Sequence, residues 1–332
     1  MLYYNKLLYY NIFMINRIQT YILVLFFALI ALVSSANAEV KVVTSIKPIH
    51  SLVSYIMDGV GKPDVIVDGY NSPHGFSLKP SHAKMLENAD LVIWVGEDLE
   101  AFLEKPLETI AKKAKNIEVM DLKGIKKFAF REKNIFEEHD NHKEHDNHKE
   151  PDDHKEKDGH ESHHHGEHDP HIWLDPINAK VIIKEITKQL VKLDTKNSSI
   201  YKSNSKRALA DIDKLVKDIK KDLNKNLRFV VFHDAYQYFE NRFGIQVLGA
   251  LTVKTDVMPG AEQLSEIREV IEHKKVNCLF SEPQFNPAII KSIAKDTNVK
   301  TGILDPLGAE LDKGKDLYFD LVKNMASSFK GC

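Results

Sequence analysis

Residues 137–169 contain no hydrophobic side chain, and this stretch constrains the fold more than any other feature of the chain. It holds ten His, thirteen Asp/Glu and four Lys, and it repeats the hexad HDNHKE at 139–144 and 145–150. Nothing in it can be buried to offset the entropy of ordering, so the stretch is predicted to be a disordered loop. Its charge is −9. The whole chain carries only −2, which gives no electrostatic reason to expect nucleic-acid binding. With 43% hydrophobic residues, the remainder can support one large core or two ordinary ones.

On both sides of the loop, short apolar runs alternate with helical periodicity. Val40–Ser45, Asp64–Val67, Leu91–Val95 and Ile117–Asp121 read as strands, separated by helices near 48–58, 81–88 and 99–114. After the loop come helices near 177–193 and 198–223. In the second of these, Ala208, Ile212, Leu215, Ile219 and Leu223 recur every three or four residues. Strands then return at Arg228–Phe232, Ile245–Leu251, Val276–Ser281 and Lys300–Leu304, with helices near 235–243, 261–273, 286–296 and 317–329. This order predicts an α/β protein of two domains, each a parallel sheet flanked by helices, joined by a long backbone helix. The expected boundaries are 39–136 and 170–197 for the N-terminal α/β domain, 198–225 for the linking helix and 226–332 for the C-terminal α/β domain.

Residues 1–38 contain Lys6 and Arg17, no acid, an apolar run from Tyr21 to Val33, and Ser34-Ser35-Ala36-Asn37-Ala38 before Glu39. This is the pattern of a secretory signal peptide cut after Ala38, with Met14 an alternative start. The apolar run is short for a bilayer span of about 20 residues, and no later segment is apolar enough to cross a membrane. A soluble, periplasmic protein is expected. In an oxidising compartment Cys278 and Cys332 pair readily, which would contribute about 4 kcal/mol in the chain-entropy model. Two free buried thiols are the alternative. No CxxC spacing favours thiolate metal ligation.

Four positions carry the chemistry. His74 lies in SPHGFSLKPS beyond the second strand, and His171 lies in DPHIWLDP where the loop rejoins the fold. His233 lies in FVVFHDAYQYFE after a strand, and Asp305 lies in TGILDPLG at the end of the last one. Loops at the carboxyl edge of an open parallel sheet are where such folds bind ligands. Three neutral imidazoles suit Zn²⁺, with Asp305 or a water completing a tetrahedron, whereas Mn²⁺ or Fe²⁺ prefers more carboxylate oxygens. Asp169 or Asp234 could orient a ligand from behind. His50, His82 and His273 are expected to be surface or capping residues, Trp173 a packing anchor, and Asp58 and Asp68 turn residues.

These motifs, with VKVVTSIKPIHSLV, MPGAEQLSEIR and SEPQF in the same order, resemble the zinc-binding solute-binding proteins of bacterial ABC uptake transporters. The resemblance runs from Val40 to Cys332. It implies zinc ligation by His74, His171 and His233, with Asp305 coordinating or nearby, and two α/β domains with limited closure. It also implies a Cys278–Cys332 bridge and a receptor without enzymatic activity that serves an inner-membrane permease and its ATPase as a monomer. Related manganese and iron binders usually carry Glu where His233 stands. Pro73 occupies a place where some members have a carboxylate. Ala250 lies near the place where some have a histidine of an auxiliary site.

The loop histidines His139, His142, His145, His148, His154, His160, His163, His164, His165 and His168 would form weak auxiliary zinc sites that raise the local metal concentration. His168 would lie nearest the entry. Three other functions compete with zinc uptake. They are a manganese or iron receptor of the same class, a secreted zinc-dependent hydrolase or lyase, and an adhesin or metal-sequestering protein. The hydrolase reading lacks an HExxH motif and any evident general base.

Overall fold

The computed structural model describes Met14, Gln19 and residues 39–131, 133–135, 168–223, 227–252 and 259–332. The expected cleavage site and nine of the ten loop histidines lie outside the described residues. The first sheet contains β1 (Val42–Ile46), β2 (Asp64–Val67), β3 (Leu91–Trp94) and β4 (Lys115–Glu118), all parallel and ordered β2-β1-β3-β4. β1 is flanked on both sides, with Val43 opposite Asp64 and Val42 opposite Leu91. The second sheet contains β5 (Arg228–His233), β6 (Gln246–Thr252), β7 (Cys278–Ser281) and β8 (Lys300–Ile303), parallel and ordered β6-β5-β7-β8.

The two sheets therefore share one winding order, which reverses direction beside β1 and beside β5. The carboxyl ends of strands at such a reversal open a crevice. Residues of the central strands are buried on both faces, and their Val, Ile, Leu and Phe side chains form the runs seen in the sequence. The outer strands β4 and β8 are largely exposed.

The helices are α1 (Lys47–Ile56), α2 (Pro80–Glu87), α3 (Glu97–Glu100), α4 (Glu104–Thr109), α5 (Pro176–Leu193) and α6 (Ser198–Asp222). They continue with α7 (Gln237–Phe243), α8 (Ala261–His273), α9 (Ala288–Thr297) and α10 (Leu317–Lys330). The long helix α6 buries the expected stripe of Ala208, Ile212, Leu215 and Ile219, with Leu223 just beyond it. The single helix expected near 99–114 is not formed. It breaks into α3, a 3₁₀ turn at Ala101–Leu103, and α4. Pro106 is the physical reason, because it has no N–H to donate to Phe102 and its ring collides with that carbonyl.

One hydrophobic core runs from β1 through Trp173 and α6 to Phe329, taking side chains from both sheets. A smaller cluster around Val230, Leu248 and Ile290 fills the far side of the second sheet. α10 packs against α1 and α6, and the Cys278–Cys332 disulfide returns its end to β7. A second tie is Lys47, buried at the start of α1, whose ammonium donates to the carbonyls of Gly308, Ala309 and Leu311 at 2.6, 3.1 and 2.7 Å. Among the described residues no helix is long and apolar enough to cross a membrane.

Candidate metal centre

His74 sits in the loop between β2 and α2. Gly75, at φ +74°, turns the backbone back immediately after it, a conformation that a residue with a Cβ resists. His171 follows Asp169-Pro170 on the return segment and leads into a 3₁₀ turn at Ile172–Leu174. One oxygen of Asp169 accepts both the backbone N–H of His171 at 3.0 Å and its Nδ1–H at 2.7 Å, which fixes the ring. The fully buried indole of Trp173 lies 5.3 Å from the His171 ring and donates to the Pro306 carbonyl, so Trp173 is the packing anchor expected of it. His233 is the last residue of β5, and its Nδ1 lies 2.6 Å from Oε1 of Glu282, the residue after β7.

The three imidazoles converge. Nε2 of His171 lies 3.4 Å from Nε2 of His74 and 3.2 Å from Nε2 of His233. A carboxylate only accepts, so Asp169 and Glu282 place the protons of His171 and His233 on Nδ1 and leave each Nε2 as a bare lone pair. Two such lone pairs at 3.2 Å repel each other unless a cation lies between them. A tetrahedron with zinc–nitrogen bonds of about 2.0–2.1 Å has edges of about 3.3 Å. Two of the three edges thus match those of zinc ligands, and all three donor atoms lie within 4.8 Å of one another.

Burial, followed by the charges of His171 and His233, holds His74 well below the usual imidazole range. Burial and then His233 do the same to His171. Both rings therefore stay neutral and ready to ligate at neutral pH. His233 differs. Burial works to lower it, but the charge and hydrogen bond of Glu282, together with Asp234 and Asp169, carry it above the usual value. Asp169, fully enclosed, is pushed by burial up to about 7.

The cavity at the three rings has a volume of about 10 Å³ and is walled by Pro73, Trp173, Phe285, Pro306 and Leu307. That is room for one ion or one water. Among the described residues these three histidines are the only such group of mutually close donors, and Asp305 is not in it. The Asp305 carboxylate is engaged within its own loop. It accepts from the N–H groups of Leu307, Gly308 and Ala309 at 3.1, 2.9 and 2.5 Å, and from Gln284 Nε2 at 2.9 Å. It precedes Pro306 and Leu307, which wall the cavity, and lies outside the group of mutually close donors.

Of the two carboxylates considered as orienting groups, Asp169 holds His171, while Asp234 turns away to Arg131. Glu282 fills the second role and was not singled out by sequence. The available signal was its position in SEPQF, directly at a strand's carboxyl end. His168 is the one loop histidine described, and it forms an isolated antiparallel bridge with Ala129. His50 is buried, with Nε2 3.1 Å from the Pro63 carbonyl, and His82 Nδ1 accepts the Lys79 N–H at the start of α2. His273 ends α8. None of these three joins the donor group.

The family described as ZnuA, zinc-uptake complex component A, periplasmic, matches residues 42–332. The chain is 45% identical over 311 residues to the high-affinity zinc uptake system protein ZnuA of Brucella abortus, covering 90% of this chain and 93% of that one. A crystal structure of ZnuA superposes with a TM-score of 0.68 at 21% identity, over 87% of this chain and 98% of that one. The laminin-binding protein of Streptococcus agalactiae, described as having adhesin and metal-transporting activity, gives a TM-score of 0.68 at 22% identity, over 87% and 99%. At those identities the two structures show a common fold.

Proposed function

The chain belongs to the ZnuA family, the periplasmic component A of zinc-uptake complexes, and from that premise we propose that it takes up one Zn²⁺ on His74, His171 and His233. The ion is cargo. In this reading the receptor carries it to the permease of an ABC importer powered by its ATPase, acts as a monomer and has no catalytic step. The observation that carries the assignment is the pair of Nε2–Nε2 distances, 3.2 and 3.4 Å, that gather the three rings, two of which, His171 and His233, have a carboxylate at Nδ1. A donor set of nitrogen alone supports Zn²⁺ over Mn²⁺, and a cavity of about 10 Å³ suits an ion rather than an ester.

The finer organisation follows the same reading. Residues 1–38 are the signal peptide, removed after Ala38. Residues 39–136 and 170–197 make the first domain, 198–225 the linking helix and 226–332 the second, while 137–169 is the auxiliary metal-collecting loop.

Competition with a chromophoric zinc chelator tests the ligand set. Wild type should hold one ion tightly. His74→Ala should weaken that site by on the order of 100-fold, about a quarter of the binding free energy of a four-ligand zinc site. Unchanged affinity would remove His74 from the site.

A further inference from the structure

Resting on the zinc reading, we propose that the strap formed by residues 125–131 and 133–135, which leads from the first sheet toward the His-rich segment, is a positioning element of the metal centre and that Arg131 is its operative residue. The strap does not hang free. Its Lys126 N–H donates to Asn178 Oδ1 at 2.8 Å, and its Phe128 N–H donates to Tyr238 Oη at 3.1 Å. It then pairs with the return segment, where Asp169 N–H donates to the Phe128 carbonyl at 2.9 Å and Ala129 bridges His168. Asp169 is the carboxylate that orients His171, so the pairing sets the register of one ligand.

Two residues further on, Arg131 reaches the other ligand's neighbour. Its Nη1 donates to Asp234 Oδ1 at 2.8 Å, and Nη1 and Nη2 donate to the two oxygens of Glu240 at 3.1 and 2.9 Å. Asp234 directly follows His233. Asp234 and Glu240 are both buried, and the Arg131 side chain that joins them is itself only partly exposed, at 18%. Removing it would leave two enclosed carboxylates without their cation. The strap ends on the edge of the second sheet. There Asn134 Nδ2 donates to the carbonyls of Ala250 and Leu251, its own carbonyl accepts from Ala250 N–H, and Ile135 bridges Gly249. The approach is close enough to require glycine, since a Cβ at position 249 would stand 2.7 Å from the Asn134 carbonyl oxygen.

The strap is thus bonded both to Asp169, which holds His171, and to Asp234, which follows His233. Loss of a partner behind a metal ligand typically costs 10–100-fold in affinity. The test uses the full chain with Arg131→Gln, Arg131→Lys and Gly249→Ala, measuring zinc affinity by chelator competition and the visible spectrum of the Co²⁺-loaded protein. Arg131→Gln acts one bond further from the ligand and should lose about 10-fold, the low end of that range, and change the Co²⁺ spectrum. Arg131→Lys, which keeps the charge, should recover part of that loss. Gly249→Ala displaces the strap from a distance and should shift both readouts in the direction of Arg131→Gln. If Arg131→Gln does not fold, the Gly249→Ala and Arg131→Lys results decide the question. Wild-type affinity and spectrum in the folded variants would overturn the proposal. Wild type and His74→Ala are run in the same titrations. Failure of tight zinc binding there would instead strike the zinc reading.

Discussion

Replacing Glu282 by Gln isolates what the carboxylate behind His233 contributes. The amide keeps an oxygen where Oε1 now accepts from Nδ1 at 2.6 Å, and it removes the charge from a site where Glu282 is only 3% exposed. The metal then meets a less basic imidazole held by a weaker hydrogen bond. Affinity at pH 8 should fall by about 10–100-fold, equivalent to roughly 1.4–2.8 kcal/mol. A second effect has the opposite sense.

In wild type, Glu282 is the main group opposing burial at His233 and carrying it above the usual imidazole value. A proton there competes with zinc, so wild-type affinity should fall as pH drops through that raised value. In the variant, burial is less opposed, His233 is neutral to lower pH, and proton competition weakens. The variant should therefore start lower at pH 8 but decline less steeply toward about pH 5.5, so that the two curves approach one another. Chelator competition across that range reads both effects. Parallel curves of equal affinity would refute the role assigned to Glu282.

Glu100 offers a test away from the metal. It is fully buried, accepts from Val95 and Gly96 N–H through Oε2, has the Ser45 hydroxyl beside it, and is pushed by burial up to about 7. Because the folded chain holds this proton and the unfolded chain releases it near 4.5, Glu100 costs stability as pH rises from about 4.5 to 7. Denaturant melts of Glu100→Gln should gain on wild type by about 2–3 kcal/mol between about pH 5 and pH 8, whatever the offset at pH 5. An offset independent of pH would contradict this. Cys332→Ser opens a bridge spanning 54 positions and should cost about 4 kcal/mol, lowering Tm by about 7 °C. It should leave zinc stoichiometry unchanged, since neither cysteine lies in the donor group.

Much of the fold is legible in the order of apolar runs, because strands buried on both faces need uninterrupted Val, Ile, Leu and Phe. Asp64–Val67 forms as expected to the residue, and the other strands differ by at most three residues at their ends. The break in the helix expected near 99–114 was also readable, since Pro106 stands in the middle of that stretch. Two of the three histidines are legible because His74 follows a strand and His233 ends one, and His171 because it stands in DPHIWLDP where the polar loop rejoins the fold. The partners behind them are less so. Glu282 lies 49 residues from His233, and the two meet only because β5 and β7 are neighbours in the sheet, a fact of topology rather than of local pattern. Asp305 was expected at the metal because it ends a strand beside the ligands. Its position at the edge is right, but three backbone N–H groups of its own turn occupy the carboxylate.

The zinc K-edge X-ray absorption spectrum of the protein loaded with one equivalent of Zn²⁺ addresses the central assignment most directly. Three imidazole nitrogens at about 2.0–2.1 Å, with at most one further light donor, are predicted. A spectrum with fewer than three imidazoles in wild type, or one unchanged in His74→Ala, would contradict the account.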